Sequence, residues 1–493
     1  MRQAAEHPLA LGAPTAGLTL QQWLHGALCK AMFDGRLPPG SRLPTTRSLA
    51  RDHGLSRSTV TAVFERLLAD GYISAHVGRG SFVAPRPPSA YLAQAPALPM
   101  PLPPVKVAPA LSRRGREMAA VGRASVHRHA GLPRTFEADR VDPALFPAAT
   151  WARLAARRAR WHQAHLGANT DWQGWAPLRQ LLAHQLHLTR GIRCDAGQIV
   201  IVSSAPQALD LLARLLLNPG EEAWVDDPGP PATPALLAAA GVRVVPVPAD
   251  EEGLQVDAAQ RLAPRARLVC TSAGMQMPLG QPMSLPRRQA LLAWARGTGA
   301  WVVDDDRDGD FVFDSGSTQA LKALDDGDSV IHVADLSTCL SFSVRLACLV
   351  LPSRLVEPVC AAMALAGSPP ALLDQAVLHD FIADGHWARQ LRDLRAIYGA
   401  RADALRSGLD THFGQWLRMA PAVRGLSLTA WLPPATRDAD VAARAAAAGV
   451  TVTPLAAYRL QHPAPTGLRL GFAAFSEAGI RSGVQHLAAA LQP

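Results

Sequence analysis

The sequence predicts a multidomain chain: a small N-terminal α+β unit, then a larger α/β unit on a mainly parallel sheet. Three observations predict it. Residues 18–84 hold three short helix-period stretches and then two β runs joined by glycines. Nine prolines and only two charges follow between Pro85 and Pro109, a semi-extended linker that could not hold a core. From about residue 135 onward, apolar β runs alternate with helical stretches, the rhythm of parallel strands covered by helices. The length of 493 residues agrees, because one core rarely serves so long a chain.

In chain order, Leu20, Leu24, Ala27, Leu28 and Ala31 share one face of a helix over 18–35, which stops at Gly35 before Pro38-Pro39-Gly40. A second helix opens at Thr45 and runs to His53. After Gly54-Leu55, Ser56 is a good N-cap for a third helix over 57–70. Two β runs joined by Gly78-Arg79-Gly80 complete the layout of a winged helix-turn-helix. A helix that reads DNA carries its contacts at its N-terminus, and Ser56, Arg57, Ser58 and Thr59 supply that tip. Arg47 starts the preceding helix, Arg42 flanks it, and Gly78 and Arg79 tip the wing. Val60, Val63, Phe64 and Leu67 read as core, and Arg66 as a solvated charge. A net charge of +9 suits a polyanionic partner.

The totals narrow the class. No run of eighteen uncharged apolar residues appears and no export signal is evident, so a cytoplasmic protein without a membrane span is expected. Six scattered cysteines without a CxxC pair read as reduced core thiols, with no metal site. Lysine is confined to Lys30, Lys106 and Lys322; the remaining positive side chains are arginines, which cannot form an imine.

Past the linker, Arg113, Arg114, Arg116, Arg123 and Arg128 read as a solvated basic segment. QIVIVSS, EEAWVDD, VRVVPVPA, ARLVCTS and AWVVDDD read as buried strands, with helices at APQALDLLARLLL and 285–297. SVIHVADLSTCLSFSVRLACLVLP is a strand, a hydroxyl-rich turn and a second strand. A long helix over roughly 371–407 leads to a smaller portion with strands near GLSLTAWLP and GLRLGFAAF. The domains expected are 15–84 for DNA, 85–130 as linker, 131–360 as the large α/β portion, and 361–493 as the long helix and small portion.

PPGSRLPTTRSLARDHGLSRSTVTAVFERLLADGYI and VGRGSFV closely resemble the GntR class of bacterial regulators. The body resembles fold-type I aminotransferases through QIVIVSSAPQALDLLARLLLNPGEEAWVDDPGPP, MQMPLGQPMSLPRRQALLAWA, VVDDDRDGDF, GHWARQLRDLRAIYGAR and GLRLGFAAFSE. Together the halves look like the MocR group. That resemblance implies promoter DNA as a partner, with Arg47, Arg57, Ser58 and Thr59 on it and Gly78 and Arg79 at the minor groove. It also implies a head-to-tail homodimer and a site for pyridoxal phosphate.

Such a site needs N–H groups at a helix start for the phosphate, a carboxylate for the pyridine nitrogen, a stacking ring, a group for the phenolic oxygen, and an imine lysine. Against the family pattern, the phosphate cup keeps Ala205 but has Ser204 for glycine and Pro206 for glutamine. Asp305 matches the carboxylate. Pro230 stands for the stacking tyrosine, Arg307 for a second tyrosine, and Met275 for the histidine of a His-Gln pair. Thr338 stands for the lysine, so covalent attachment is not expected. Lys322, sixteen residues upstream, is expected at the surface. Arg345 matches a phosphate-binding arginine and Arg469 an α-carboxylate receptor. The reading is a regulator with a non-catalytic aminotransferase-like domain. Its alternatives are non-covalent binding of pyridoxal phosphate or a small anionic metabolite and, behind it, a working transaminase.

Overall fold

The computed structural model describes residues 9, 11–13, 17–76, 79–85, 110–129, 131–162, 171–313, 319–326, 328–341, 344–420, 423–463 and 465–491. Gly78 and the proline-rich stretch over 86–109 lie outside the described residues. The chain forms two compact units, 1–109 and 110–493.

The first unit contains α1 (Leu20–Phe33), α2 (Thr46–Asp52), α3 (Arg57–Ala69), β1 (Ile73–His76) and β2 (Gly80–Val83). Each helix starts where a side-chain oxygen can take an orphan N–H: Thr19 in a capping box with Gln22, then Thr45, then Ser56. The core joins Trp23, Leu24 and Leu28 of α1 to Val60, Val63, Phe64 and Leu67 of α3, and to Ile73 and Val83 of the hairpin. The buried face of α1 is rotated from the one expected. Leu20, in the first turn, is 50% exposed, whereas Trp23 is buried and meets the His53 ring edge-on at 6.2 Å. β1 and β2 pair antiparallel, Ile73 opposite Val83 and His76 opposite Gly80.

The second unit opens with α4 (Arg113–His129), α5 (Ala148–His162) and α6 (Ala176–Arg190). There follow β3 (Ile199–Val202), α7 (Ala205–Leu216), β4 (Glu222–Asp227), α8 (Ala232–Ala239), β5 (Arg243–Asp250), β6 (Gly253–Leu254), α9 (Val256–Leu262), β7 (Leu268–Thr271), α10 (Leu285–Thr298) and β8 (Trp301–Asp305). Then come β9 (Val330–Asp335), β10 (Ala347–Val350), α11 (Ser353–Ala366), α12 (Leu372–Ala383) and α13 (His386–Phe413). The chain closes with β11 (Arg418–Met419), β12 (Ser427–Trp431), α14 (Asp438–Ala447), β13 (Thr453–Pro454), β14 (Gly467–Gly471) and α15 (Glu477–Leu491).

Eight strands form one sheet in the order β3-β10-β9-β8-β7-β4-β5-β6. β4, β5, β7, β8 and β9 run parallel, and β10 runs antiparallel to β9 and β3. β3, β7 and β10 are buried at every position, which is why they read as unbroken apolar runs instead of alternating ones. The small sheet, β11-β12-β14-β13, is antiparallel.

The segment read as a solvated basic stretch forms the helix α4, packed on α8, and its described arginines are solvated as expected; the helix expected over 371–407 is corrected. Arg113, Arg114 and Arg116 are exposed on it, while Gly115 and Ala119, one turn apart, are half-buried. The single long helix is two, α12 and α13, because Gly385 adopts a left-handed φ of +77° between them. α12 is tied to α5 by Asp380, which accepts from Arg157 Nη2 at 2.6 Å and Arg158 Nε at 2.7 Å.

β14 approaches the chain at residues 136–139 closely. Gly471 donates its N–H to the Phe136 carbonyl at 2.9 Å, and a Cβ there would lie 2.2 Å from the Glu137 carbonyl oxygen. Gly471→Ala is therefore expected to destabilise the second unit by roughly 1–3 kcal/mol through backbone overlap. A melting temperature equal to wild type would remove that contact from the account.

Candidate functional site

The first candidate surface is the start of α3. Ser56 Oγ accepts the Thr59 N–H at 3.1 Å and lies 2.9 Å from Ser58 Oγ and 2.7 Å from Thr59 Oγ1. The three hydroxyls are thus knitted to the helix start, and Arg57 is exposed among them. Arg47 is exposed on α2 and Arg79 on the hairpin. Arg42 bridges to Phe82 of β2, and its guanidinium Nε would lie 3.2 Å from a Cβ placed on Gly80. Glycine at 80 therefore leaves room for an arginine against the wing.

The second candidate is a cleft at the carboxyl ends of β3, β4, β7, β8 and β9, where open α/β sheets bind ligands. It contains two cavities of about 30 and 10 Å³ that share Pro230, Ser272, Asp305 and Arg307. Burial pushes the Asp226 carboxyl up to about 7, although Thr271 Oγ1 donates to it at 3.0 Å. Burial and the neighbouring Asp139 carboxylate push Asp308 up to about 7.

The structure brings Ala205 and Asp305 to this cleft and places Thr338 against the carbonyl of Arg307, which lines it. Ala205 is the first residue of α7 and lines the larger cavity. Asp305 ends β8 and is gripped by Arg307, whose Nε donates at 3.0 and 3.3 Å and whose Nη2 donates to Oδ2. That carboxylate, the largest influence on Arg307, raises its pKa, so the guanidinium stays protonated. Thr338 is 4% exposed and donates its hydroxyl to the Arg307 carbonyl at 3.3 Å.

Arg307, at the position of the second tyrosine, turns its guanidinium onto Asp305. Two expectations change. Arg345 is exposed and lines neither cavity. Lys322 is not a surface residue: it is 9% exposed, with Nζ 3.1 Å from Asp325 and 3.2 Å from Asp328. Asp325 in turn accepts the Ser329 and Val330 N–H groups, which places this amine at the amino end of β9. Thr338 lies past the carboxyl end, and the six-residue strand between them spans roughly 20 Å.

Arg469 lies on β14, buried. Its Nη1 donates to Asp139 at 2.8 Å and to the Tyr458 hydroxyl at 3.2 Å. Burial would lower its pKa, but Asp139 and Tyr458 more than offset that and hold it protonated. Asp139 reaches it from a left-handed backbone, φ +60°, a conformation that aspartate tolerates better than most residues.

The residues present do not fit pyridoxal phosphate. In the cup, Gln207 Oε1 accepts the Ser203 N–H at 2.7 Å, Ser204 Oγ accepts the Gln207 N–H at 3.3 Å, and Pro206 has no N–H. Asp305 already holds a cation, Pro230 presents no aromatic face, and a cavity of about 30 Å³ holds about one water, against several hundred Å³ for a coenzyme-sized ligand. Asp139 and Asp308 were not expected at the site; no spacing in the sequence ties Asp139 to a partner 330 residues away. Gln207 was not singled out either, though its place four residues after Ser203 on a helix start was a visible signal.

The comparisons agree with this architecture. The pattern of bacterial regulatory proteins of the gntR family matches residues 24–83, and that of aminotransferase class I and II matches residues 129–487. The probable rhizopine catabolism regulatory protein MocR of Rhizobium meliloti is 31% identical, covering 96% of this chain and 94% of that protein. The HTH-type transcriptional regulator TauR of Rhodobacter capsulatus is 29% identical over 97% of this chain and 98% of its own. Among solved structures, the α-aminoadipate aminotransferase LysN of Thermus thermophilus is 25% identical with a TM-score of 0.68, over 76% of this chain and 96% of that one. The order of the two units, the mainly parallel sheet and these full-length likenesses lead to one assignment: the chain belongs to the MocR-type transcriptional regulators, a GntR-family helix-turn-helix unit joined to an aminotransferase class I and II unit.

Proposed function

We propose that this regulator works as a dimer on promoter DNA and that its aminotransferase-like unit neither forms an imine with pyridoxal phosphate nor catalyses transamination. The observation that carries the reading is the placement of Thr338 and Lys322. The residue at the imine position has no amine, and the second unit's lysine is sealed between two carboxylates at the opposite end of β9. The proposed boundaries are 15–84 for the DNA-binding domain and 361–493 for the long helices and small sheet, with α4 placed in the second unit.

In this reading α3 enters the major groove by its N-terminus, where Arg57 reaches base edges and its backbone N–H groups and Thr59 face a phosphate. Arg42, Arg47 and Arg79 hold the register through phosphates. An anionic metabolite in the cleft would have to displace Asp139 from Arg469, since Arg345 faces solvent.

The test uses the full chain. Pyridoxal phosphate followed by borohydride is expected to leave no adduct on Lys322 and no imine absorbance, whereas promoter fragments are retarded in gel shifts. Affinity for those fragments is expected to fall linearly in log–log form with salt, as counterions are released. A borohydride-stable adduct, or turnover of an amino acid with Thr338 intact, refutes the reading.

A further inference from the structure

We infer that the cleft carries resident stand-ins for a ligand: Arg307 takes the seat of a cation at Asp305, and Asp139 takes the seat of a carboxylate at Arg469. The inference rests on the proposed cofactor-free reading and adds to it the groups of the chain itself that answer the receptors of the cleft.

Each receptor is met in its own chemistry. A carboxylate 18% exposed at the cleft floor is gripped by both the Nε and Nη2 of Arg307, two residues along the same chain. A guanidinium 4% exposed is met by Asp139 at 2.7 and 2.8 Å. Asp139 comes from a segment on the far side of the unit in sequence, held by the Gly471–Phe136 backbone hydrogen bond at 2.9 Å. Asp308, almost fully buried, faces Arg307, Arg469, Asp139 and Asp335. The two pairs therefore share one electrostatic neighbourhood. With Gln207 capping the phosphate cup from inside, three receptor points are answered by the chain itself.

A receptor stripped of its resident partner is left charged and largely desolvated, so it should recover stability from a small ion of the matching sign. The experiment measures thermal melting of the full chain as wild type, Arg307→Ala and Asp139→Ala, each with methylguanidinium chloride, sodium acetate or sodium chloride at equal ionic strength. Both variants are expected to melt several degrees below wild type. Methylguanidinium is expected to raise the melting temperature of Arg307→Ala relative to sodium chloride, and acetate that of Asp139→Ala, with neither ion acting on wild type. Equal responses in wild type and variants, or rescue without regard to sign, overturn the inference.

If a single variant does not fold, the doubly neutral Asp305→Asn/Arg307→Gln protein decides. It is expected to melt near wild type and to be blind to methylguanidinium; a fall to the level of a broken pair, or a retained response, counts against the stand-in role. None of these outcomes depends on DNA binding or on a borohydride adduct, so this inference and the proposed function can fail separately.

Discussion

Arg57→Ala is expected to abolish specific promoter binding while leaving the protein folded and its oligomeric state unchanged. Arg57 sits exposed at the start of α3, outside the core of Leu24, Val60, Phe64 and Val83, so its removal opens no cavity. An arginine reading a base edge contributes roughly 1–3 kcal/mol of discrimination, and in the proposed dimer two half-sites would lose it together. That is enough to bring specific binding down to the non-specific level set by phosphate contacts. Gel shifts on operator and scrambled DNA, with sedimentation of the free protein, read both halves of the expectation. Operator affinity equal to wild type would take Arg57 out of the interface.

Asp380→Ala is expected to cost the second unit roughly 1–3 kcal/mol, because it leaves Arg158 of α5 without its carboxylate and Arg157 with Asp384 alone. Asp380 is 6% exposed at its side chain, and His379 Nδ1 lies 3.1 Å from it as well. Burial by itself would raise its pKa, but hydrogen bonds from Arg158, Arg157 and His379 overrule burial and hold the carboxyl at about 2. The folded pKa lies below the unfolded value of about 3.9. The stabilisation is therefore complete above about pH 4 and is lost as pH falls through about 2. Melting curves of wild type and variant are expected to differ most near neutrality and to converge in acid; a gap that stays constant down to pH 2 contradicts this account.

The DNA-binding unit was legible because its signals are local. Ser56 caps the helix it was expected to cap, Thr45 stands at the start of α2 within one residue of the reading, and Val60, Val63, Phe64 and Leu67 repeat at helical spacing into the core. The strands of the body were legible as buried apolar runs for the same reason. Errors arose where a residue's fate is set by distant neighbours or by one backbone angle. Leu20 shares the spacing of a core face but lies in the first turn, where it is 50% exposed. Gly385 looks like any glycine inside a helical pattern until its φ of +77° ends one helix and starts another. Lys322 is buried where a surface position was expected, because Asp325 and Asp328 fold back onto it. In the cleft, Asp305, Arg469 and Thr338 could be found by resemblance. The groups that answer them could not, since side-chain partnership leaves no periodic trace.

If the proposed non-catalytic reading holds, the grip of Arg307 on Asp305 bears on any attempt to engineer transamination into this scaffold. A lysine installed at 338 alone would enter a position 4% exposed, against the carbonyl of Arg307, and would bring a second cation to a carboxylate already neutralised. Arg307 would have to be exchanged first, then Pro206 and Pro230, before the new amine met an acceptor. The order of substitution is thus imposed by charge. Restoring the lost residue is the last step of such a design, and its usefulness depends on every step before it.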